Sequence, residues 1–123
     1  MAWIHADQSK SRRAIAVPLN EDALGVLTQQ LNKHPVFVFT YKDAPVARTT
    51  TKAWKHALAR AGIEDFRWHD LRHHFASMLV MAGADLYVVK ELLGHSTIAV
   101  TERYAHLAPE HKQAAVALLD GGR

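Results

Sequence analysis

The sequence predicts a mainly α-helical fold of the α+β class, with a small antiparallel β-sheet at one edge. Three observations carry this. Apolar residues recur at three- and four-residue spacing through most of the chain after residue 49, glycines stand where such runs stop, and two short extended runs near the start flank a polar, basic turn.

Residues 3–6 and 14–19 read as the arms of a β-hairpin over residues 3–19, with Lys10 at its tip. Asn20 suits an N-cap, Glu21 and Asp22 suit the positive end of a helix, and Leu24, Leu27 and Leu31 give that helix an apolar face ending near Asn32. Residues 36–39, "VFVF", form a short apolar run after Pro35, read as a buried strand joining the hairpin. Thr49 or Thr50 can cap a second helix with Trp54, Leu58 and Ala61 on its apolar side and Gly62 as its stop. Lys52, Lys55 and His56 fall on another face. Residues 70–82 put Leu71, Phe75, Met78, Leu79 and Ala82 on one stripe before Gly83. Asp85 opens a helix carrying Leu86, Val89 and Leu93, closed by Gly94. Ser96 or Thr97 can cap the next, running to about His106, and an amphipathic segment after Pro109 carries helix to about residue 119.

At 123 residues the chain fits one domain, large enough to bury roughly two-thirds of its unfolded surface. Apolar residues at 49% and charged residues at 22% argue against a largely disordered chain. The absence of cysteine excludes disulfides, thiolate zinc sites and a cysteine nucleophile, and the cytoplasm is the expected compartment. No apolar run approaches the roughly 18 residues of a membrane span, and the first ten residues lack the apolar core of a signal peptide. The net charge of +3 tilts weakly toward polyanions. Placement says more, because basic residues gather in Lys10, Arg12, Arg13 and again in Arg48, Lys52, Lys55, His56, Arg60.

The stretch "HDLRHHFAS", residues 69–77, admits two chemistries. His69 and His73 share a helical face and, with His95, could complete a zinc site of hydrolase type. Against that, Arg72 places a permanent cation within one turn of both, and Asp70 is shorter than the glutamate of the zinc motif. The same arginine suits a phosphate: its planar fork can bind two non-bridging oxygens, and His69 three residues earlier adds a donor at the helix start. A second cluster, "LLGHSTIAVTERYAHL", offers His95 after a helix-stopping glycine and Tyr104 nine residues on. A tyrosine can be a half-buried packing residue or a covalent nucleophile.

His-x-x-Arg in "HDLRHHFAS", then "LLGH", then "TERYAHL", preceded by "SKSRRAIAVPLN", resembles the tyrosine recombinase, or phage integrase, family in order and spacing. The resemblance runs from about Trp3 to His106. It implies a tyrosine recombinase catalytic-domain-like fold, N-terminally truncated, from a site-specific recombinase of a mobile element or chromosome that cleaves and rejoins DNA through a 3′-phosphotyrosyl intermediate. In that family's terms Tyr104 matches the nucleophile, Arg72 the second catalytic arginine and His69 the histidine that contacts the phosphate and assists proton transfer. His95 matches the residue that hydrogen-bonds a non-bridging oxygen, and Lys10 the general acid that protonates the departing 5′-oxygen. Arg12, Arg13, Lys52, Lys55 and His73 are candidate DNA contacts.

The resemblance further implies double-stranded DNA as partner, a homo-tetramer on DNA and a monomer for the free fragment, no membrane, and no metal or other cofactor. The family's other arginine and its acidic neighbour precede the hairpin and match no residue here. These residues are therefore expected to be part of a longer integrase, inactive or very weak alone, since losing one such donor costs about a hundredfold or more. A DNA-binding module with a vestigial site and a zinc hydrolase using His69 and His73 stand as the alternatives.

Overall fold

The computed structural model describes residues 1–7 and 13–122. Its elements in chain order are β1 (Ala2–Ile4), β2 (Ile15–Val17), α1 (Glu21–Gln29), β3 (Thr40–Tyr41), β4 (Ala44–Pro45), α2 (Lys52–Ala61), α3 (Asp70–Met81), α4 (Leu86–Leu93), α5 (Ile98–Glu102) and α6 (Lys112–Ala117), with 3-10 turns at Ala105–Leu107 and Asp120–Gly122. The molecule is thus mostly helical with two small two-stranded sheets, β1 with β2 and β3 with β4. The expected hairpin tip, with Lys10 and Arg12, lies outside the described residues.

Local chemistry sets the helix ends. The Asn20 side chain accepts from the Ala23 N–H at 2.9 Å, and Asp85 accepts from the Tyr87 N–H at 2.8 Å. Thr51, rather than Thr49 or Thr50, caps α2 by accepting from the Trp54 N–H at 3.3 Å. α2 and α4 both stop on a left-handed glycine, Gly62 at φ 68° and Gly94 at φ 69°.

The chain divides into two compact units. The first holds residues 1–4 and 16–70, and the second holds the described residues among 5–15 and 71–122. In the first unit, residues 36–39 are not a buried strand. They are bends with exposed side chains, because the His34 ring intervenes: its Nδ1 accepts from the N–H groups of both Val36 and Phe37, at 3.1 and 3.0 Å. The His34 ring proton then sits on Nε2, 3.5 Å from Asp43 Oδ1. The strand begins at Thr40, and β3 and β4 pair antiparallel with Thr40 opposite Pro45 and Tyr41 opposite Ala44. Lys42 and Asp43 between them both take positive φ, 52° and 64°, as a two-residue type I′ hairpin turn demands.

The second unit contains the fully packed core: Ala76 and Val80 of α3, Val89 and Leu93 of α4, and Tyr104, with Leu79, Ala84, Leu86 and Leu107 packed around them. The inward face of α3 therefore runs through Ala76 and Val80. Leu71, Phe75 and Met78, expected on the buried stripe, are 41%, 44% and 51% exposed. The face is rotated because Ala76, with no side chain beyond Cβ, lets the neighbouring elements close on it to zero exposure.

Gly94 serves twice in this unit. Its φ suits glycine, and a Cβ there would lie 2.6 Å from Ile15 Cδ1, whereas a Cβ on Gly62 meets nothing within 4 Å. Gly62→Ala is expected to lower stability by about 1–2 kcal/mol, the left-handed penalty alone. Gly94→Ala should cost more, since Ile15 must also swing away. Urea midpoints of the two variants, compared with the parent, check the order.

Candidate active site

Four candidate side chains, Arg72, His73, His95 and Tyr104, lie in the second unit. Arg72, in the first turn of α3, donates a guanidinium N–H to the carbonyl of Leu93 at the C-terminal end of α4. That oxygen is one of the last four carbonyls of a helix, which have no intrahelical partner and carry its partial negative charge, so a cation is well placed there. One arm of the fork is fixed in this way, and the other arm is a donor pair of set direction.

His95 is positioned by the left-handed turn at Gly94 and by Thr101, a fully buried residue of α5 whose Oγ1 lies 2.8 Å from His95 Nδ1. With the hydroxyl donating to Nδ1, the neutral ring carries its proton on Nε2, a donor aimed away from Thr101. Burial holds the His95 pKa below its ordinary value of 6.5, and the positive charges of Arg72, Arg103 and Lys90 push it further down. The ring is accordingly neutral at pH 7.

As pH falls below about 6.5, unfolded His95 takes up a proton before the folded residue does, so the contribution present at neutral pH is lost between 6.5 and the lower folded midpoint. The parent should lose more stability than His95→Gln between pH 7.5 and pH 5.5 in urea titrations.

Tyr104 does not lie late in a helix that runs to His106. α5 stops at Glu102, and Tyr104 occupies the turn before the 3-10 segment, its N–H bonded to the Thr101 carbonyl and its carbonyl to the Leu107 N–H, both at 3.0 Å. Its ring is 8% exposed within the core, and its hydroxyl lies 2.6 Å from His73 Nδ1. The two rings are tilted by 41° with centroids 6.2 Å apart. His73 is half-buried on the inward side of α3. This contact gives His73 a place that its sequence reading as a DNA contact did not indicate.

Sequence reasoning also passed over Thr101, Lys90 and Arg103. The signal for Thr101 was present: it is six residues after His95, a small hydroxyl residue on the face of α5 that turns inward. Lys90 is 13% exposed in its side chain and pairs with Glu91 at 3.0 Å. That pairing holds the Glu91 carboxyl below its ordinary pKa, with a smaller pull from the exposed Arg13.

His69 belongs to the first unit, immediately before α3. It lines an open cleft of about 500 Å³ together with Trp54, Lys55, Arg67 and Trp68. Trp54 and Trp68 meet edge to face with centroids 5.0 Å apart. Arg67 is held to Asp70 at 3.3 Å, and Asp70 also accepts from the Arg67 N–H at 2.8 Å. Lys52 and Lys55 are exposed on α2. Among the described residues no group of three or more His, Asp or Glu side chains is arranged to hold a metal ion.

Arg72 and His73 on α3, His95 after α4 and Tyr104 after α5 are thus carried by one compact unit of the chain. The structure matches the catalytic domain of bacteriophage HP1 integrase with a TM-score of 0.62 at 35% identity, over 87% of this chain and 58% of that one. The chain belongs to the phage integrase family, whose sequence profile matches residues 1–111. It is 48% identical to the integrase of Salmonella phage P22 over 90% of its length, and 33% identical to a tyrosine recombinase of Thermosipho africanus over 93%. The chain spans 32% and 42% of the length of those two relatives.

Proposed function

We propose that the chain is the catalytic region of a site-specific tyrosine recombinase that cuts and rejoins double-stranded DNA through a 3′-phosphotyrosyl linkage. The observation that supports this most is the seat of Tyr104: a phenol fixed by its backbone and by His73 in the unit that also carries Arg72 and His95.

In this reading Tyr104 attacks the phosphorus, its oxygen bonds to the 3′-phosphate, and the 5′-oxygen leaves. Charge growing on the non-bridging oxygens is met by the free arm of Arg72 and by the Nε2–H of neutral His95, donors held by Leu93 and Thr101 before the substrate arrives. His69 contacts the phosphate and assists proton transfer, and Lys10 protonates the departing oxygen; both roles rest on the family likeness. Arg12, Arg13, Lys52 and Lys55 are assigned to DNA phosphates on the same ground and on their charge. The phosphotyrosyl bond conserves the energy of the broken diester, so attack by another strand's 5′-hydroxyl rejoins DNA without ATP, metal or other cofactor. A homo-tetramer on DNA in the cytoplasm is the assembly that strand exchange between two duplexes calls for.

The test is to incubate the full-length protein with a nicked duplex carrying its recombination site, so that the short 5′-terminal strand diffuses away after cleavage. A protein–DNA adduct that survives denaturant is expected. Retention of the duplex without any adduct would instead identify a DNA-binding module with a vestigial site.

A further inference from the structure

His73 is the residue whose position the resemblance leaves without chemistry. Its Nδ1 lies 2.6 Å from the Tyr104 hydroxyl, a distance at which a proton passes directly between the two atoms. We propose that His73, rather than His69, to which the family likeness gives a part in proton transfer, is the proton acceptor that activates Tyr104, and the donor that returns the proton when the phosphotyrosyl bond is resolved. The proposal rests on the reading of Tyr104 as the nucleophile.

Chemistry requires such a group. A phenol with a pKa near 10 is ionised in only about one molecule in a thousand at pH 7, so attack is slow unless the proton leaves as the oxygen–phosphorus bond forms. An imidazole, with an unperturbed pKa near 6.5, is neutral at that pH yet basic enough to receive it. The guanidinium of Arg72 has no acceptor to offer. His95 has its Nδ1 committed to Thr101, leaving that ring a donor toward the phosphate.

The fold also fixes this pair from both sides. His73 is on α3, one residue after Arg72 and three before the fully buried Ala76, so its backbone is anchored by the core. Tyr104 is itself a core residue, 8% exposed, held in the turn after α5 by two backbone hydrogen bonds. The Tyr104 ring cannot leave the contact without disturbing the packed core.

The His73 ring starts with its proton on Nε2 and its lone pair on Nδ1. The hydroxyl proton passes to Nδ1 as the Tyr104 oxygen bonds to phosphorus, the bond from phosphorus to the 5′-oxygen breaks, and that oxygen takes a proton from a separate acid, which the proposed assignment gives to Lys10. In the return step an incoming 5′-hydroxyl gives its proton to the deprotonated form of that separate acid as its oxygen bonds to phosphorus, the bond from phosphorus to the Tyr104 oxygen breaks, and the imidazolium returns its proton to the tyrosine oxygen.

Two measurements test this. The first needs no activity: nitrogen NMR of the free protein should show His73 Nδ1 unprotonated and hydrogen-bonded at neutral pH, and a protonated Nδ1 donating to the Tyr104 oxygen would overturn the proposal. The second is single-turnover cleavage of the nicked duplex. His73→Gln should slow adduct formation by about a hundredfold or more. Placing a fluorinated tyrosine at position 104, acidic enough to ionise near neutral pH, should restore most of that loss, because an ionised phenol needs no base. A residue that merely packs against Tyr104 would not be bypassed in this way, so an unrescued variant, or His73→Gln cleaving at the parent rate, would overturn the proposal. Failure of the parent protein itself to form an adduct would instead count against Tyr104 as nucleophile.

Discussion

Tyr104→Phe is expected to abolish the covalent protein–DNA adduct, by at least about ten-thousandfold in cleavage rate, while leaving DNA binding intact. With Tyr104 as the proposed nucleophile no other group can replace the bond its oxygen would make, and deletion of a covalent nucleophile in other enzymes costs on the order of a millionfold. The substitution keeps the ring, which is the part of Tyr104 that fills the core among Ala76, Val80, Val89 and Leu93. Its structural cost is confined to the hydrogen bond with His73, about 1 kcal/mol. Loss of the adduct on a denaturing gel, with an unchanged shift of the same duplex on a native gel, separates chemistry from binding. An adduct formed by the phenylalanine variant would remove Tyr104 from the mechanism.

The parts of this molecule legible in the sequence are those written in a few consecutive residues. Asn20 and Asp85 cap helices, and Gly62 and Gly94 end them, because capping and left-handed turns are decided within one turn of chain. The family was legible through the order of its motifs along the chain. What failed was inference about burial, which depends on what another element brings. Leu71, Phe75 and Met78 satisfy a helical stripe as well as Ala76 and Val80 do, and the choice between the two faces is made by α4 and the turn at Tyr104. Residues 36–39 satisfy a strand's composition, but a single side chain, His34, captures two of their N–H groups. The true hairpin carries Lys42 and Asp43 where asparagine and glycine would have announced it. The contact of His73 was hidden for the same reason: an intrahelical spacing can say that it neighbours Arg72, but not that a tyrosine 31 residues later meets its ring.

Arg72→Lys should reduce adduct formation by about a hundred- to a thousandfold even though the charge is kept. Arg72 spends one arm on the Leu93 carbonyl at the end of α4, and in the proposed role the rest of its rigid fork is for the phosphate. A lysine ammonium is one point of charge on a flexible stem, so it can satisfy the carbonyl or a non-bridging oxygen but cannot do both with fixed geometry. Arg72→Gln should be at least as slow, and the two variants differ in a second observable. Because the charge of Arg72 contributes to holding His95 below its ordinary pKa, the His95 midpoint followed by proton NMR should stay near the parent value in the lysine variant and rise in the glutamine variant. If cleavage falls in both variants while the His95 midpoint moves in just one, the loss belongs to the shape of the guanidinium and not to its charge. Equal cleavage by the lysine variant and the parent would show that a point charge suffices at this position, and the bidentate role of Arg72 would have to be given up.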